Sequence, residues 1–236
     1  MQAVILAGGK GTRLLPFTKV FPKPLVPLGE KPILDTILRQ LKHFGFTRVT
    51  LAVGYMADMI QTYVDNGQRY GINIQYAFED EPLGTVGPLA QIQELDQDFL
   101  VMNGDIITNI NYKDLVNFHQ ANNAIATIGT YKKVLKIDLG IIECNDNNHI
   151  IDYIEKPNQY FQVSMGIYVF NKEVLNYIEP QKHLDFPELV QRLLENGHLV
   201  MSYPFNGYWL DIGNHSDYTK AIEEFESMKF SLNINY

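Results

Sequence analysis

The chain has 236 residues, 46% hydrophobic and 19% charged, with a formal net charge of −8, a composition that fits one globular domain of generous size. A sequence pI near 5.2 excludes the extended basic surface that nonspecific nucleic-acid binding requires. No apolar run approaches the roughly 20 residues needed to cross a bilayer, AVILAGG is too short for a secretory signal, and the single cysteine, Cys144, excludes an internal disulfide; a cytoplasmic protein with Cys144 as a structural thiol is expected.

In chain order, an apolar strand over Ala3–Ala7 runs directly into Gly8-Gly9-Lys10-Gly11-Thr12-Arg13. Glycines permit turns that a side chain forbids and bring bare N–H groups close to an anion. Lys10, Arg13, Lys19, Lys23 and Lys31, opposed only by Glu30, give the first 31 residues a net +4 inside a chain of −8. The basic patch is therefore local, as a polyphosphate site requires. Neither common phosphate loop matches: no Lys followed by Ser or Thr closes the turn as in GxxxxGK[ST], and Gly9-Lys10-Gly11-Thr12-Arg13-Leu14 ends on leucine where GxGxxG needs glycine.

Ile33–Phe44 carries Ile33, Ile37, Leu38 and Leu41 at helical spacing, with Pro32 suited to its first turn and Gly45 to its end. Strands are predicted at Val49–Val53, Ile74–Phe78 and Phe99–Met102, and helices at Ala57–Asn66 and Pro88–Leu95. A helix over Asp114–Asn122 then gives way to strand-like runs at Ala124–Tyr131, Leu139–Glu143, His149–Glu155 and Gly166–Phe170, so the sheet becomes mixed. A helix over Pro187–Asn196 closes at Gly197, a strand over Leu199–Pro204 follows, and Ser216–Phe230 forms a last amphipathic helix. The fold class is α/β: a mixed, mostly parallel sheet flanked by helices on both faces.

The run Phe99–Asp105 delivers the Asp105 carboxylate from the end of a buried strand, where α/β sheets bind ligands. Asp105 is the first candidate metal ligand, since a hard cation such as Mg2+ takes oxygen donors. The histidines His43, His119, His149, His183, His198 and His215 show no i,i+4 pair and no HExxH, and most are expected at the surface or at helix ends. His215, four residues after Asp211, is a candidate for shaping the site.

AGGKGTRLLPFT followed by PKPLVPLGEKPIL resembles the sugar-1-phosphate nucleotidylyltransferases, or NDP-sugar pyrophosphorylases, and the resemblance continues through PLGTVGPL, NGD, EKP and WLDIG. It implies a Rossmann-like nucleotidyltransferase fold, a single domain over residues 1–236 without the C-terminal β-helix of many relatives, and transfer of a nucleotidyl group from a nucleoside triphosphate to a sugar 1-phosphate. Implied nucleotide-binding residues are Leu6, Ala7, Gly8, Gly9, Lys10, Gly11, Thr12, Arg13, Gly84, Thr85 and Asp105, of which Arg13 and Asp105, together with Lys23, are catalytic. Mg2+ falls to Asp105 and Asp211, and the sugar phosphate to Gly140, Glu155, Lys156, Ser164 and Gly166. Many relatives have Asn-Ala-Gly or Asn-Thr-Gly where this chain has Ser164-Met165-Gly166, which implies a sugar other than glucose.

Leu83-Gly84-Thr85-Val86-Gly87 is similar to the LGTxG segment of guanylyltransferases acting on mannose 1-phosphate or related hexoses and heptoses, so GTP is expected. Guanine presents donors at N1 and N2 and needs acceptors, available from backbone carbonyls or from Glu79, Asp80 and Glu81. Uridylyl, thymidylyl or cytidylyl transfer, phosphocholine as acceptor, and a non-catalytic sensor of nucleotide sugars are the alternatives. A homodimer is a further expectation, with no nucleic-acid or membrane partner.

Overall fold

A computed structural model describes residues 1–232. Strand β1 (Gln2–Ala7) is followed by the short pair β2 (Pro27–Leu28) and β3 (Lys31–Pro32), then α1 (Ile33–His43), β4 (Arg48–Val53), α2 (Ala57–Val64), β5 (Asn73–Phe78), β6 (Asp98–Asn103) and β7 (Ile106–Thr108). The remainder comprises α3 (Tyr112–Ala121), β8 (Ala126–Lys136), β9 (Ile141–Cys144), β10 (Ile150–Ile154), β11 (Asn158–Asn171), α4 (Phe186–Glu195), β12 (Val200–Phe205), β13 (Trp209–Asp211) and α5 (His215–Met228).

Seven strands form the main sheet in the order β12-β8-β11-β6-β1-β4-β5. All of its pairings are parallel except the two made by β11. Alternate residues face opposite sides of a strand, so each strand feeds two cores. Ala3, Ile5, Leu100, Met102, Ile167 and Val169 pack on one face with Ile37 and Leu41 of α1, Leu115 of α3 and Phe225 of α5. Val4, Phe99, Val101, Tyr168 and Phe170 pack on the other with Leu189 and Leu193 of α4. Each fully buried aliphatic side chain contributes about 1.5–3 kcal/mol; double-sided burial is why these strands read as continuous apolar runs rather than as alternation.

The predicted helix at Pro88–Leu95 is not formed; a 3-10 turn over Gly87–Gln91 stands there instead. Leu89 within this turn and Ile92 and Leu95 in the non-helical chain after it are all buried, so the apolar spacing reflects burial and not a continuing helix. Val86 and Gly87 also donate their N–H groups to Leu184 O, at 3.0 and 3.3 Å, which ties the segment to a distant loop. Cys144, expected as a structural thiol, is exposed at the end of β9. His119 departs from the surface expectation: it is 1% exposed on α3, with Nδ1 2.8 Å from Thr127 Oγ1.

Beyond Tyr131, β8 leaves the core with the first half of β11, and together with the β9–β10 hairpin they make an exposed ribbon. The β8–β11 register slips between Ser164 and Tyr168, where Gly166 has φ +71°, so the strand bends as it re-enters the core. The sheet order reverses at β1, whose neighbours are β4 on one side and β6 on the other. The strand ends diverge there and leave a crevice, with Gly104 N donating to Leu6 O (2.9 Å) at its base.

Candidate functional site

A cavity of about 910 Å³ occupies that crevice. Its walls include Leu6 through Arg13, Lys23, Gly84, Thr85 and Asp105, so every residue expected to bind nucleotide lines one continuous space. Gly11 sits at φ +59°, a conformation that costs a side-chain-bearing residue about 1–2 kcal/mol. A Cβ there would also stand 2.8 Å from Thr18 Cγ2 and 3.1 Å from Lys23 Cβ. The turn is pinned by Tyr55 N donating to Gly8 O (3.1 Å) and by Leu14 N and Thr18 Oγ1 donating to Gly11 O (2.9 Å each). His215 meets the chain just after this turn through its Nε2 and Leu15 O, and does not itself line the cavity.

Asp105 and Asp211 are distant in sequence yet meet because β13 pairs antiparallel with β7, Asp211 standing opposite Ile106. Ile212 N donates to Asp105 O at 3.0 Å and closes the corner. Lys23 Nζ forms an ion pair with Asp105 Oδ2; both side chains are mostly buried, at 13% and 17% exposed. Burial first, and the Asp105 charge second, push the Asp211 carboxyl above its usual range, against the pull of Lys23 and Arg13. The Oδ1 atoms of Asp105 and Asp211 are both buried without a hydrogen-bond partner among the described residues. Two orphaned carboxylate oxygens at one corner, Asp105 on the cavity wall and Asp211 outside its lining, fit a divalent hard cation that keeps its other positions for phosphate oxygens and water. Arg13 reaches the same corner, since a Cβ on Gly213 would lie 3.6 Å from Arg13 Nη1.

Across the cavity, Glu79 points toward the loop after β1. A Cβ on Gly8 would stand 2.6 Å from Glu79 Oε1, while Oε2 accepts from Leu83 N at 3.3 Å. Burial raises the Glu79 carboxyl above its ordinary value, opposed by the Leu83 amide. Asp80 also lines the cavity; Glu81, proposed with them, is exposed and does not.

The residues expected at the sugar phosphate are not drawn together as closely. Gly140, Glu155 and Lys156 lie on the exposed ribbon outside the cavity wall, where Glu155 takes a hydrogen bond from Tyr153 OH (3.2 Å) and an ion pair from Lys156 Nζ (3.7 Å). Gly140 lies under the Tyr153 ring. Gly166 abuts the wall, since a Cβ on it would sit 2.7 Å from Asn103 Nδ2, and Ser164 Oγ pairs with Tyr168 OH at 2.9 Å. Sequence reasoning missed Gly54 and Tyr55 after β4, and His183, all of which line the cavity. A glycine directly after an apolar strand was the available signal for Gly54, whose Cβ would meet Gly8 O at 3.2 Å; no local signal marked His183.

Residues 2–228 match the family model described as nucleotidyl transferase. The chain belongs to the nucleotidyl transferase family. It is 34% identical, over 94% of its length, to a UTP–glucose-1-phosphate uridylyltransferase of Synechocystis, and 36% identical, over 92%, to a mannose-1-phosphate guanyltransferase of Yarrowia lipolytica. It spans 62% of the length of each of these relatives. Among solved structures, HddC from Yersinia pseudotuberculosis superposes with a TM-score of 0.73 at 27% identity, covering 95% of this chain and 99% of that one, and one of its structures is complexed with GMP-PN. The Rossmann-like α/β fold of the family is thus the fold of this chain. Among the described residues no helix is long and apolar enough to cross a membrane.

Proposed function

We propose that this nucleotidyl transferase moves a guanylyl group from GTP to a sugar 1-phosphate, mannose or a related hexose or heptose, and releases pyrophosphate. The phosphate oxygen of the sugar 1-phosphate attacks the α-phosphorus in line, forming the new P–O bond as the bond to the bridging oxygen of pyrophosphate breaks. Backbone N–H groups of the Gly8–Thr12 loop cradle the triphosphate, and Arg13 and Lys23 supply charge where it accumulates in the transition state. Asp105 and Asp211 would hold Mg2+, which neutralises the phosphates and the leaving group. Lys23 then exchanges its Asp105 partner for phosphate oxygens. The attacking phosphate is already ionised near neutral pH, so the site has no need of a general base.

The observation that carries guanine is the Glu79 carboxylate on the cavity wall. An ionised carboxylate only accepts, and guanine alone among the common bases offers two adjacent donors, N1–H and N2–H, to one carboxylate. Uracil and thymine place carbonyl oxygens on both sides of their single N–H and are repelled. The yeast guanyltransferase and the GMP-PN complex of HddC support this reading; the Synechocystis relative favours uridylyl transfer as the second. Pyrophosphate release with Mg2+ across GTP, UTP, dTTP and CTP, each with mannose, glucose and heptose 1-phosphates, tests it. GTP is the expected substrate, and Glu79→Gln, which adds a donor, should raise UTP turnover relative to GTP. Preference for UTP in the unaltered protein refutes the guanine assignment.

A further inference from the structure

The wall that carries Glu79 does not stand by itself. Leu83–Gly87 is fastened to Lys182–Phe186, a segment a hundred residues later that leads into α4. Leu184 N donates to Leu83 O (2.9 Å), and Leu184 O accepts from Val86 N (3.0 Å) and Gly87 N (3.3 Å). Asp185 Oδ1 accepts from both Thr85 N (2.9 Å) and Thr85 Oγ1 (3.1 Å), and Thr85 Oγ1 in turn accepts from Phe186 N (2.9 Å). Asp185 occupies the N-cap position of α4 but makes no capping bond to its own helix. Thr85 supplies that cap from across the structure, and the Asp185 carboxylate is turned onto the loop instead.

The two glycines of the loop are explained by the same junction. A Cβ on Gly84, which has φ +78°, would stand 2.5 Å from Leu184 O and 2.9 Å from Asp185 Oδ1, and one on Gly87 would stand 2.8 Å from Lys182 O. Backbone meets backbone here, so neither clash is relieved by a side chain moving aside. Glu79 is joined to this loop through Oε2 and Leu83 N, so whatever fixes Leu83–Thr85 also fixes the carboxylate.

We infer that Asp185 is a positioning residue for base selection, holding Gly84, Thr85 and, through Leu83, Glu79 in the geometry that accepts the nucleobase. It rests on the nucleotidyl-transfer reading above. Asp185 acts here chiefly as an acceptor, because both of its bonds to Thr85 end on Oδ1 and its contact with His183 Nε2, 3.9 Å from Oδ2, is exposed and weak. Asp185→Asn keeps that acceptor and Asp185→Ala removes it.

Steady-state kinetics with GTP and ITP, which lacks the N2 donor, combined with amide exchange over residues 83–87 of the ligand-free protein, tests the assignment. Asp185→Ala is expected to raise KM for GTP about tenfold with kcat within about twofold, and to lower the GTP-to-ITP ratio of kcat/KM. It should also speed exchange of the Thr85 and Val86 amides, whereas Asp185→Asn stays near the unaltered protein in every readout. Faster exchange with unchanged KM and unchanged GTP-to-ITP ratio would make Asp185 a merely structural clasp and overturn the inference, as would no change in exchange. If the unaltered protein prefers UTP, the guanine reading fails by itself, and the same KM comparison on UTP still decides for or against Asp185.

Discussion

Replacing Gly8 by alanine tests the link between the phosphate loop and the Glu79 carboxylate. The added Cβ would stand 2.6 Å from Glu79 Oε1, 3.3 Å from its Cδ and 3.5 Å from Gly54 N, whereas ordinary contact begins at 3.4 Å. Gly8 has no positive φ, so alanine fits the backbone and the fold absorbs the change. The carboxylate absorbs the strain: Oε1 must retreat by about 0.8 Å, the gap between 2.6 and 3.4 Å, and cannot pivot freely because Oε2 is held by Leu83 N. Losing a charge-assisted hydrogen bond to the base costs about 1.5–3 kcal/mol, or roughly 10- to 100-fold in kcat/KM for GTP. The melting temperature should stay within about 2 °C, while the GTP-to-ITP preference collapses. Gly9→Ala is the control: a Cβ there meets nothing within 4 Å in the protein, and if the loop cradles the triphosphate as proposed it should weaken every nucleoside triphosphate alike. A Gly8→Ala enzyme that retains its full GTP-to-ITP ratio refutes the assignment of Glu79 to the base.

Asp105→Asn should lower pyrophosphate release about a thousandfold or more at saturating Mg2+, and it should abolish the rise in melting temperature that Mg2+ with GTP is expected to give the unaltered protein; near-normal turnover would remove Asp105 from the metal. Stability should also fall with acid because of His119. Its burial lowers the imidazole from its ordinary value of 6.5, outweighing Asp98, whose Oδ1 lies 3.5 Å from Nε2. The unfolded chain therefore binds the proton first, and stability present above pH 6.5 is lost as pH falls through the folded value, with a slope of at most about 1.4 kcal/mol per pH unit. Urea unfolding between pH 7.5 and 5 reads this slope, and His119→Gln should flatten it.

The parallel half of the sheet was legible because β1, β4 and β6 are buried and apolar enough to stand out from their helical connections, while the edge strand β5 keeps an apolar run of which Ile74 is buried. The long β11 was not: Asn158–Gln162 lies in the exposed ribbon, where no buried face imposes alternation, so only the core portion around Gly166–Phe170 carried a signal. The three-residue partners β7 and β13 fell below the length at which periodicity speaks, yet they bring Asp105 and Asp211 together. The cavity wall was legible after the first strand because one contiguous loop, Leu6 through Arg13, supplies much of it. Its far side was partly hidden, since the clasp between Thr85 and Asp185 is a contact across a hundred residues that no local pattern encodes.

The corner made by β7 and β13 also orders events in time. During synthesis Asp105 emerges with the central strand, but its companion Asp211 arrives only after β12 has been made, and it is held by three residue pairs and the start of α5. A nascent chain arrested before Trp209 would already possess the sheet and the glycine loop yet present a lone carboxylate neutralised by Lys23. The meeting of the two carboxylates is thus delayed until β13 docks on β7, so a divalent cation held by both, as proposed above, would report that this corner has folded.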